Sequence, residues 1–302
     1  MNPQDFRFLD RLRVRWAEVD MQRIVFNGHY LMYLDTAVGG YWRSLAMPYH
    51  ETMAMLGGDL YVRKATLEYL GSAHYDERLQ VGIRCERIGN SSMRFIGCVF
   101  RDRTPLVTGE LVYVFADPAT QTSRPVPPLL RSVLEAFEAR EPMFSMAVGT
   151  WDELAGMAQP IRQGVFVQEQ GMAAEVQADG NDGRALHAVA SNRFGMAVGA
   201  GRALIEERHD ERDRRGGRIG RIGLIGRIGR IGRMAVVAGV RGAGVGAALL
   251  SGLIQACRDR GASQIVLHAP RDAVAFYARQ GFEPRGPILE EAGIEHQEMV
   301  LG

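Results

Sequence analysis

Prolines divide this chain. Four of its twelve, Pro118, Pro125, Pro127 and Pro128, fall within one eleven-residue stretch that ends a strand-rich region. Proline has no backbone N–H to give a sheet, so one sheet does not run through such a stretch. Beyond it, Leu129 to Ala139 sets Leu130, Val133, Leu134 and Phe137 on one helical face, and Glu141-Pro142 breaks the helix. A chain of 302 residues holds about two domains. The expectation is a first domain over 1–140 and a second over 141–302.

The halves differ in hydrophobic period. In the first, Leu31, Leu34, Val38, Tyr41, Trp42 and Leu45 repeat at helical spacing from Gly28 to Ala46. Gly39-Gly40 costs such a helix about 1 kcal/mol per residue relative to Ala, which predicts close approach to a sheet. Alternating sets at Ala65–Tyr69, Leu79–Cys85 and Val107–Phe115 predict antiparallel strands, an α+β pattern.

The second half predicts a strand at Phe144–Val148, a helix at Trp151–Phe166, and strands at Leu186–Ala190 and Ala197–Ile205. A strand at Arg233–Ala238, a helix at Gly244–Arg260, a strand at Ile265–His268, a helix at Ala273–Gln280 and a terminal strand pair follow. Between Ile205 and Arg233, a charged run from Glu206 to Gly217 leads into five triplets, Arg218 to Gly232, each ending Ile-Gly. Isoleucine every third residue fits neither a two-residue nor a 3.6-residue period. The reading is a low-complexity loop over 206–232 whose extra copies are dispensable.

A formal net charge of +1 argues against a protein that coats nucleic acid or acidic membrane. The triplet arginines have no aromatic residues among them for base stacking, so an arm there would make phosphate contacts only. Met1 to Asp5 has no signal-peptide core, and no apolar run reaches the ~18–20 residues of a membrane span. Cys85, Cys98 and Cys257 have no metal-ligand spacing and look like reduced thiols. The expectations are a cytoplasmic protein with no metal, no nucleic-acid partner and no membrane partner.

The first candidate site is Trp16 to Tyr30. Asp20 stands at the expected end of a strand, ahead of the long helix. Open amides at a helix start can hold the oxyanion of a thioester under attack. A nearby carboxylate can attack the carbonyl or activate water. On the residues alone, Asp20 is either that group or a helix cap. Asp20 through Tyr30 resembles the signature of the 4-hydroxybenzoyl-CoA and related short-chain acyl-CoA thioesterases, a hotdog-fold family. The likeness continues through Val62–Tyr69 to about Pro128. It implies Asp20 as the catalytic carboxylate, the amides around Phe26 and Asn27 as the oxyanion site, His29 near the substrate, and homo-oligomers paired through their sheets. The loop glycine common in that family is replaced here by Gln22 or Arg23. Glu18 is expected in a strand, solvated or paired at the surface.

The second site is Arg241-Gly242-Ala243-Gly244-Val245-Gly246, a glycine-rich turn between a strand and a helix, suited to a pyrophosphate. Its late place in the domain, with His268 where an acidic residue would end the next strand, argues against a dinucleotide fold. The turn resembles that of GNAT N-acetyltransferases, as does Ala273 to Phe282 with Tyr277 and Gly281-Phe282. Val165 to Gly171 and Ala292 to Met299 resemble the ElaA-like subgroup. The resemblance implies an α/β domain with a mixed sheet, acetyl-CoA on the amides of residues 242–246, and Met234 and Val236 aligning the pantetheine and acetyl group. Tyr277 would protonate the departing thiolate. Pro270 replaces an asparagine common in the family. Glu169, His268 and His296 are candidate bases.

The combined expectation is a bifunctional enzyme that hydrolyses an acyl-CoA and transfers acetyl to an amine acceptor. The alternative is a thioesterase with a non-catalytic acetyl-CoA-binding half.

Overall fold

The computed structural model describes residues 1–173, 179–209, 224–291 and 293–302, in two compact units, Met1–Met143 and Phe144–Gly302.

The first unit is one long helix against an antiparallel sheet. Strands β1 (Phe8–Arg13), β2 (Asp59–Tyr69), β3 (Arg78–Ile88), β4 (Ser92–Arg101) and β5 (Thr104–Ala116) lie in the order β1-β3-β4-β5-β2. Helix α1 (Asn27–Ser44) buries Tyr30, Tyr33, Leu34, Ala37, Val38, Tyr41 and Trp42, while Leu31 is exposed. Gly97 and Gly109 pair across β4 and β5. A Cβ at either would stand 2.5 or 2.6 Å from a Leu34 methyl. Leu34 therefore seats α1 where only glycine fits. Of the helix's own glycines, Gly40 meets the expected close approach, since a Cβ there would lie 2.6 Å from the Phe8 ring. Nothing comes near Gly39.

A short helix α2 (Tyr49–Leu56) and the edge strand β1 carry too few periodic residues to stand out in the sequence. Helix α3 (Pro128–Glu138) buries Leu130, Val133, Leu134 and Phe137 in this unit. Glu138 fastens it, accepting from the Tyr41 hydroxyl at 2.6 Å and the Cys85 amide at 2.8 Å.

The second unit is a mixed sheet in the order β11-β12-β10-β9-β8-β7-β6. Its strands are β6 (Phe144–Gly149), β7 (Leu186–Asn192), β8 (Ala197–His209), β9 (Leu224–Val236), β10 (Ala262–Pro270), β11 (Glu283–Glu291) and β12 (Ile294–Leu301). Helix α4 (Trp151–Arg162) runs on into a π-helical turn, Gln163–Glu169, and helices α5 (Val245–Asp259) and α6 (Val274–Arg279) follow β9 and β10. Among the described strands, only β9 and β10 pair in parallel. The two families of elements together make an α+β chain.

The loop expected over 206–232 is corrected at both ends. β8 continues to His209, and β9 begins at Leu224, so three of the five triplets are strand. Period three is no obstacle in a central strand, whose backbone is hydrogen-bonded on both edges. β8 pairs with it antiparallel and β10 parallel. Ile231 is buried, and a Cβ on Gly229 would lie 2.8 Å from the Cβ of Cys257 on α5. The Glu206–Glu207 end of the charged run finds arginines across the ladder: Arg230 reaches Glu206 at 3.0 Å and Arg227 reaches Glu207 at 3.5 Å. The rest of that run, from residue 210, and the triplets Arg218–Gly223 lie outside the described residues, as does Ala292 of the terminal motif.

The repeat makes the strand refillable. Deleting Arg227–Gly229 draws Leu224-Ile225-Gly226 forward and restores a glycine opposite Cys257. We expect that deletion to keep the melting temperature within a few degrees of wild type. Gly229→Val overpacks the same spot, at about 1–3 kcal/mol, and should lower it by roughly 2–4 °C per kcal/mol. Equal losses in the two variants, read by calorimetry, would refute the refilling.

Candidate active sites

In the first unit the chain turns sharply between β1 and α1. Residues Trp16–Glu18 form a 3-10 turn, where the sequence predicts strand. A tight turn runs from Asp20 to Arg23, whose amide donates to the Asp20 carbonyl at 2.9 Å. Arg23 adopts φ 64°, a left-handed conformation that glycine takes without strain and arginine holds at some cost. The Asp20 side chain is half-buried, and its Oδ1 accepts from the Gln22 amide at 2.8 Å. That bond holds the carboxylate beside the start of α1.

The helix start departs from the expected oxyanion set in one respect. The Phe26 amide donates to the Glu18 carbonyl at 2.9 Å, so it is already used. The first helical amides, Asn27 and Gly28, have no backbone acceptor among the described residues, as the opening turn of a helix requires. They are the donors left for a ligand oxygen. His29 lies half-buried on the same turn, its ring 6.0 Å from that of Phe26. Tyr69 from β2 donates to the Asn27 carbonyl at 3.1 Å, and the Ala73 amide donates to Tyr30 Oη at 2.9 Å.

Glu18 is a correction: it is buried at 3% exposure, not at the surface. Its carboxylate accepts from the Arg15 amide, the Arg15 guanidinium and the Tyr33 hydroxyl, each at 2.7 Å. Burial alone pushes this carboxyl up, but those donors together outweigh it and hold it below the usual range. Glu18 braces the turn on which Asp20 sits.

In the second unit the sheet opens at its parallel pair. Pairing of β9 with β10 ends at Ile231 opposite Leu267, after which β10 continues with β12 alone. Arg233, at φ 53°, sits in a bulge of β9, where the ladder to β8 slips between Ala200 and Arg202. Beyond it the Val237 amide donates to the Val198 carbonyl at 3.0 Å, on the β8 side. Strand alternation turns the amide of Val236 the other way, into the opening. A cavity of about 550 Å³ lies there, lined by Gly232–Met234, His268, Pro270 and Tyr277 among others.

The glycine-rich turn stands at the same end of β9. Gly242 and Gly244 take φ 91° and 87°, and among the described residues beyond their chain neighbours no atom lies within 4 Å of where their Cβ atoms would be. The Ala243 amide is spent on the Val240 carbonyl at 3.1 Å. The amides of Gly242, Gly244, Val245 and Gly246 have no acceptor outside helices among the described residues. Arg241 does not point outward alone: Glu169 grips it in two bonds of 2.6 and 2.7 Å, and its Nε donates to the Val236 carbonyl at 3.0 Å. The Arg241 bonds occupy both oxygens of the Glu169 carboxylate and hold it below its usual range, so Glu169 braces the turn.

Tyr277, on α6, is packed against Phe276 and Phe282, and burial pushes its hydroxyl up to about 12. A neutral phenol is the form that can give a proton. His268 and His296 both line the cavity with it. His268 Nδ1 is paired with Glu291, and its Nε2 lies 3.7 Å from Glu298.

The sequence reading missed a buried ion network beside this cavity. Arg162, at 1% exposure, holds Asp182 at 2.8 Å, and Arg202 bridges Asp182 at 2.9 Å and Asp179 at 2.6 Å. Arg233 reaches Asp179 at 3.2 Å. The available signal was an arginine amid the apolar and small residues of each of α4 and β8.

Glu18→Ala strands the Tyr33 hydroxyl and costs about 1–3 kcal/mol, so it should lower the first unit's melting temperature by several degrees. Asp20→Asn should leave that temperature unchanged. Because the Glu18 carboxyl is held low in the folded state, its contribution is present above the ordinary carboxylate range and lost as the pH falls through the folded value. A melt that responds to Asp20→Asn and not to Glu18→Ala would reverse these roles.

Comparison with known proteins follows the same division. Residues 22–108 match the family model described as the thioesterase superfamily, and residues 213–302 that of the acetyltransferase (GNAT) domain. The chain is 30% identical over 95 residues to a presumed esterase of Aquifex aeolicus (strain VF5), covering 32% of this chain and 73% of that protein. Over 145 residues it is 30% identical to the uncharacterized N-acetyltransferase YjcF of Bacillus subtilis (strain 168), covering 46% of this chain and 86% of that one. A thioesterase of Thermus thermophilus, solved with coenzyme A and zinc, is 22% identical with a TM-score of 0.41, over 46% of this chain and 99% of its own. The first half of this chain belongs to the thioesterase superfamily, and the second half belongs to the GNAT acetyltransferases.

Proposed function

We propose that the chain is a bifunctional coenzyme-A enzyme, with an acyl-CoA thioester hydrolase over 1–140 and an N-acetyltransferase over 141–302. One observation carries this reading. In each unit, helix-start amides with no acceptor outside helices among the described residues lie near a proton-handling group: the Asp20 turn leads into α1, and Gly246 faces the ring of Phe276, the chain neighbour of Tyr277.

In the first unit the thioester oxygen would accept from the Asn27 and Gly28 amides. The Asp20 carboxylate, turned by the Gln22 amide, then attacks the carbonyl carbon or takes a proton from the attacking water. His29 would border the acyl group. The exposed β2 edge, with Val62 at 52% and Tyr69 at 49% exposure, supports pairing with a second copy.

In the second unit the pyrophosphate of acetyl-CoA would lie on the amides of Gly242, Gly244, Val245 and Gly246 at the positive end of α5. The pantetheine would run along Met234 and Val236, and the acetyl group would reach the cavity. An ammonium acceptor gives one proton to His268, and the freed amine attacks the acetyl carbon. As the C–N bond forms and the C–S bond breaks, the thiolate takes the Tyr277 proton. The amide nitrogen returns a proton to the phenolate, leaving one proton to pass from His268 to solvent. The rival reading, a non-catalytic binding half, has Pro270 in its favour, because proline offers no side-chain donor to the cavity.

Asp20→Asn should cut acyl-CoA hydrolysis by about 10²–10⁴-fold while acetyl-CoA binding is kept. Gly246→Glu should do the reverse, since a carboxylate there meets the pyrophosphate. Gly246 is helical, so this change forces no left-handed residue. Hydrolysis within a few-fold of wild type in the first variant, or unchanged acetyl-CoA affinity by calorimetry in the second, would remove that half of the assignment. Val62→Lys should shift the chain to a smaller species in sedimentation if β2 pairs two copies.

A further inference from the structure

The cavity of the second unit is lined by groups of both charges. Arg202 of β8 and Arg230 and Arg233 of β9 line it, with Arg162 behind Asp182. Among the described residues, Asp182, Glu206 and Asp179, which also lines the cavity, hold these guanidinium groups in place. On β10, His268 lies between Glu291 and Glu298. Glu298 is drawn to Arg285 at 2.6 Å, so Glu291 is the carboxylate of this pair that borders the cavity.

The bulge of β9 aims Arg233. Arg233 accepts a left-handed backbone that glycine would adopt without strain, although Gly232 is its neighbour. A bulge re-aims the side chain it carries, and strain of this kind is kept where the side chain is used. Burial pulls the Arg233 guanidinium below its usual range even with Asp179 beside it. An arriving anion would relieve that cost. A guanidinium also offers two parallel donors that match a carboxylate.

We propose that the acceptor acetylated here is a small zwitterion, an amine that also carries a carboxylate. The amine lies against His268 and Glu291, and the carboxylate against Arg230 and Arg233. A lone amine would meet only His268 and Glu291, whereas a carboxylate on the same molecule adds bonds to guanidinium groups that Glu206 and Asp179 already hold in place. The proposal rests on the acetyltransferase reading of this unit and adds the class of acceptor.

The test uses the full chain with acetyl-CoA and a panel of free α-amino acids, their carboxamides and the corresponding decarboxylated amines. N-acetyl products are read by mass spectrometry, because thiol release would also report hydrolysis by the first unit. Calorimetry with acetyl-CoA is run alongside. The expected result is a kcat/KM for at least one amino acid about ten or more times that of its carboxamide and amine, the worth of a charge-assisted hydrogen bond. Arg230→Gln and Arg233→Asn should each collapse that ratio through KM; asparagine tolerates the left-handed backbone, and a thermal melt checks that both variants fold. If acetyl-CoA binds but carboxamides or simple amines are acetylated as well as amino acids, or no amino acid is acetylated, the zwitterion is wrong and the acetyl-CoA site stands. If acetyl-CoA does not bind, the acetyltransferase reading falls and the proposal with it.

Discussion

Leu34 resting on Gly97 and Gly109 is the contact from which the first unit takes its shape. The two glycines face each other across β4 and β5, and either Cβ would collide with a Leu34 methyl. The sheet thus lets the helix come closer than side chains of ordinary size permit. Tyr41, Trp42 and Phe95 then fill the space farther along, their rings meeting edge to face at 5.4 to 5.6 Å. A helix pinned at its middle has a fixed N-terminus. The Asn27 and Gly28 amides are therefore held beside the Asp20 turn, which Glu18 braces from within.

The second unit solves the same problem with another helix. Val245, Leu249, Leu253 and Cys257 form one stripe of α5. Cβ atoms added at Gly199, Gly201 and Gly229 would fall within 2.8 Å of that stripe. The N-terminus of α5 is thereby set at the end of β9, where the sheet parts from β10. Both halves of the chain present the start of a helix lowered onto glycines. Oxygen atoms of a ligand placed there would meet fixed backbone dipoles, which need no rearrangement as charge develops.

Charge is handled differently in the two sites. The first keeps one buried carboxylate, Glu18, fully occupied by donors, and leaves Asp20 lightly held. The second surrounds its cavity with a network in which carboxylates are shared between arginines. Removing one member of such a network exposes the others, so its cost exceeds a single pair.

The sequence by itself determined a good deal. The period of Leu34, Val38 and Tyr41 marked the long helix, and the alternation from Leu79 to Cys85 marked a central strand. The motif around Asp20 and the glycines from Gly242 to Gly246 marked both helix starts, because a tight turn into a helix needs particular residues at fixed spacing. Tertiary structure decided what local pattern could not carry. Ile-Gly triplets have no strand period, yet they become β9 because β8 and β10 supply hydrogen bonds on both edges. Glu18 reads as a surface residue until Arg15 and Tyr33 close over it. Arg162, Arg202 and Arg233 lie far apart in the chain, and only the fold brings them into one ion network around Asp179 and Asp182. Local propensity reports what a residue prefers alone; burial and ion pairing depend on which distant residues arrive beside it.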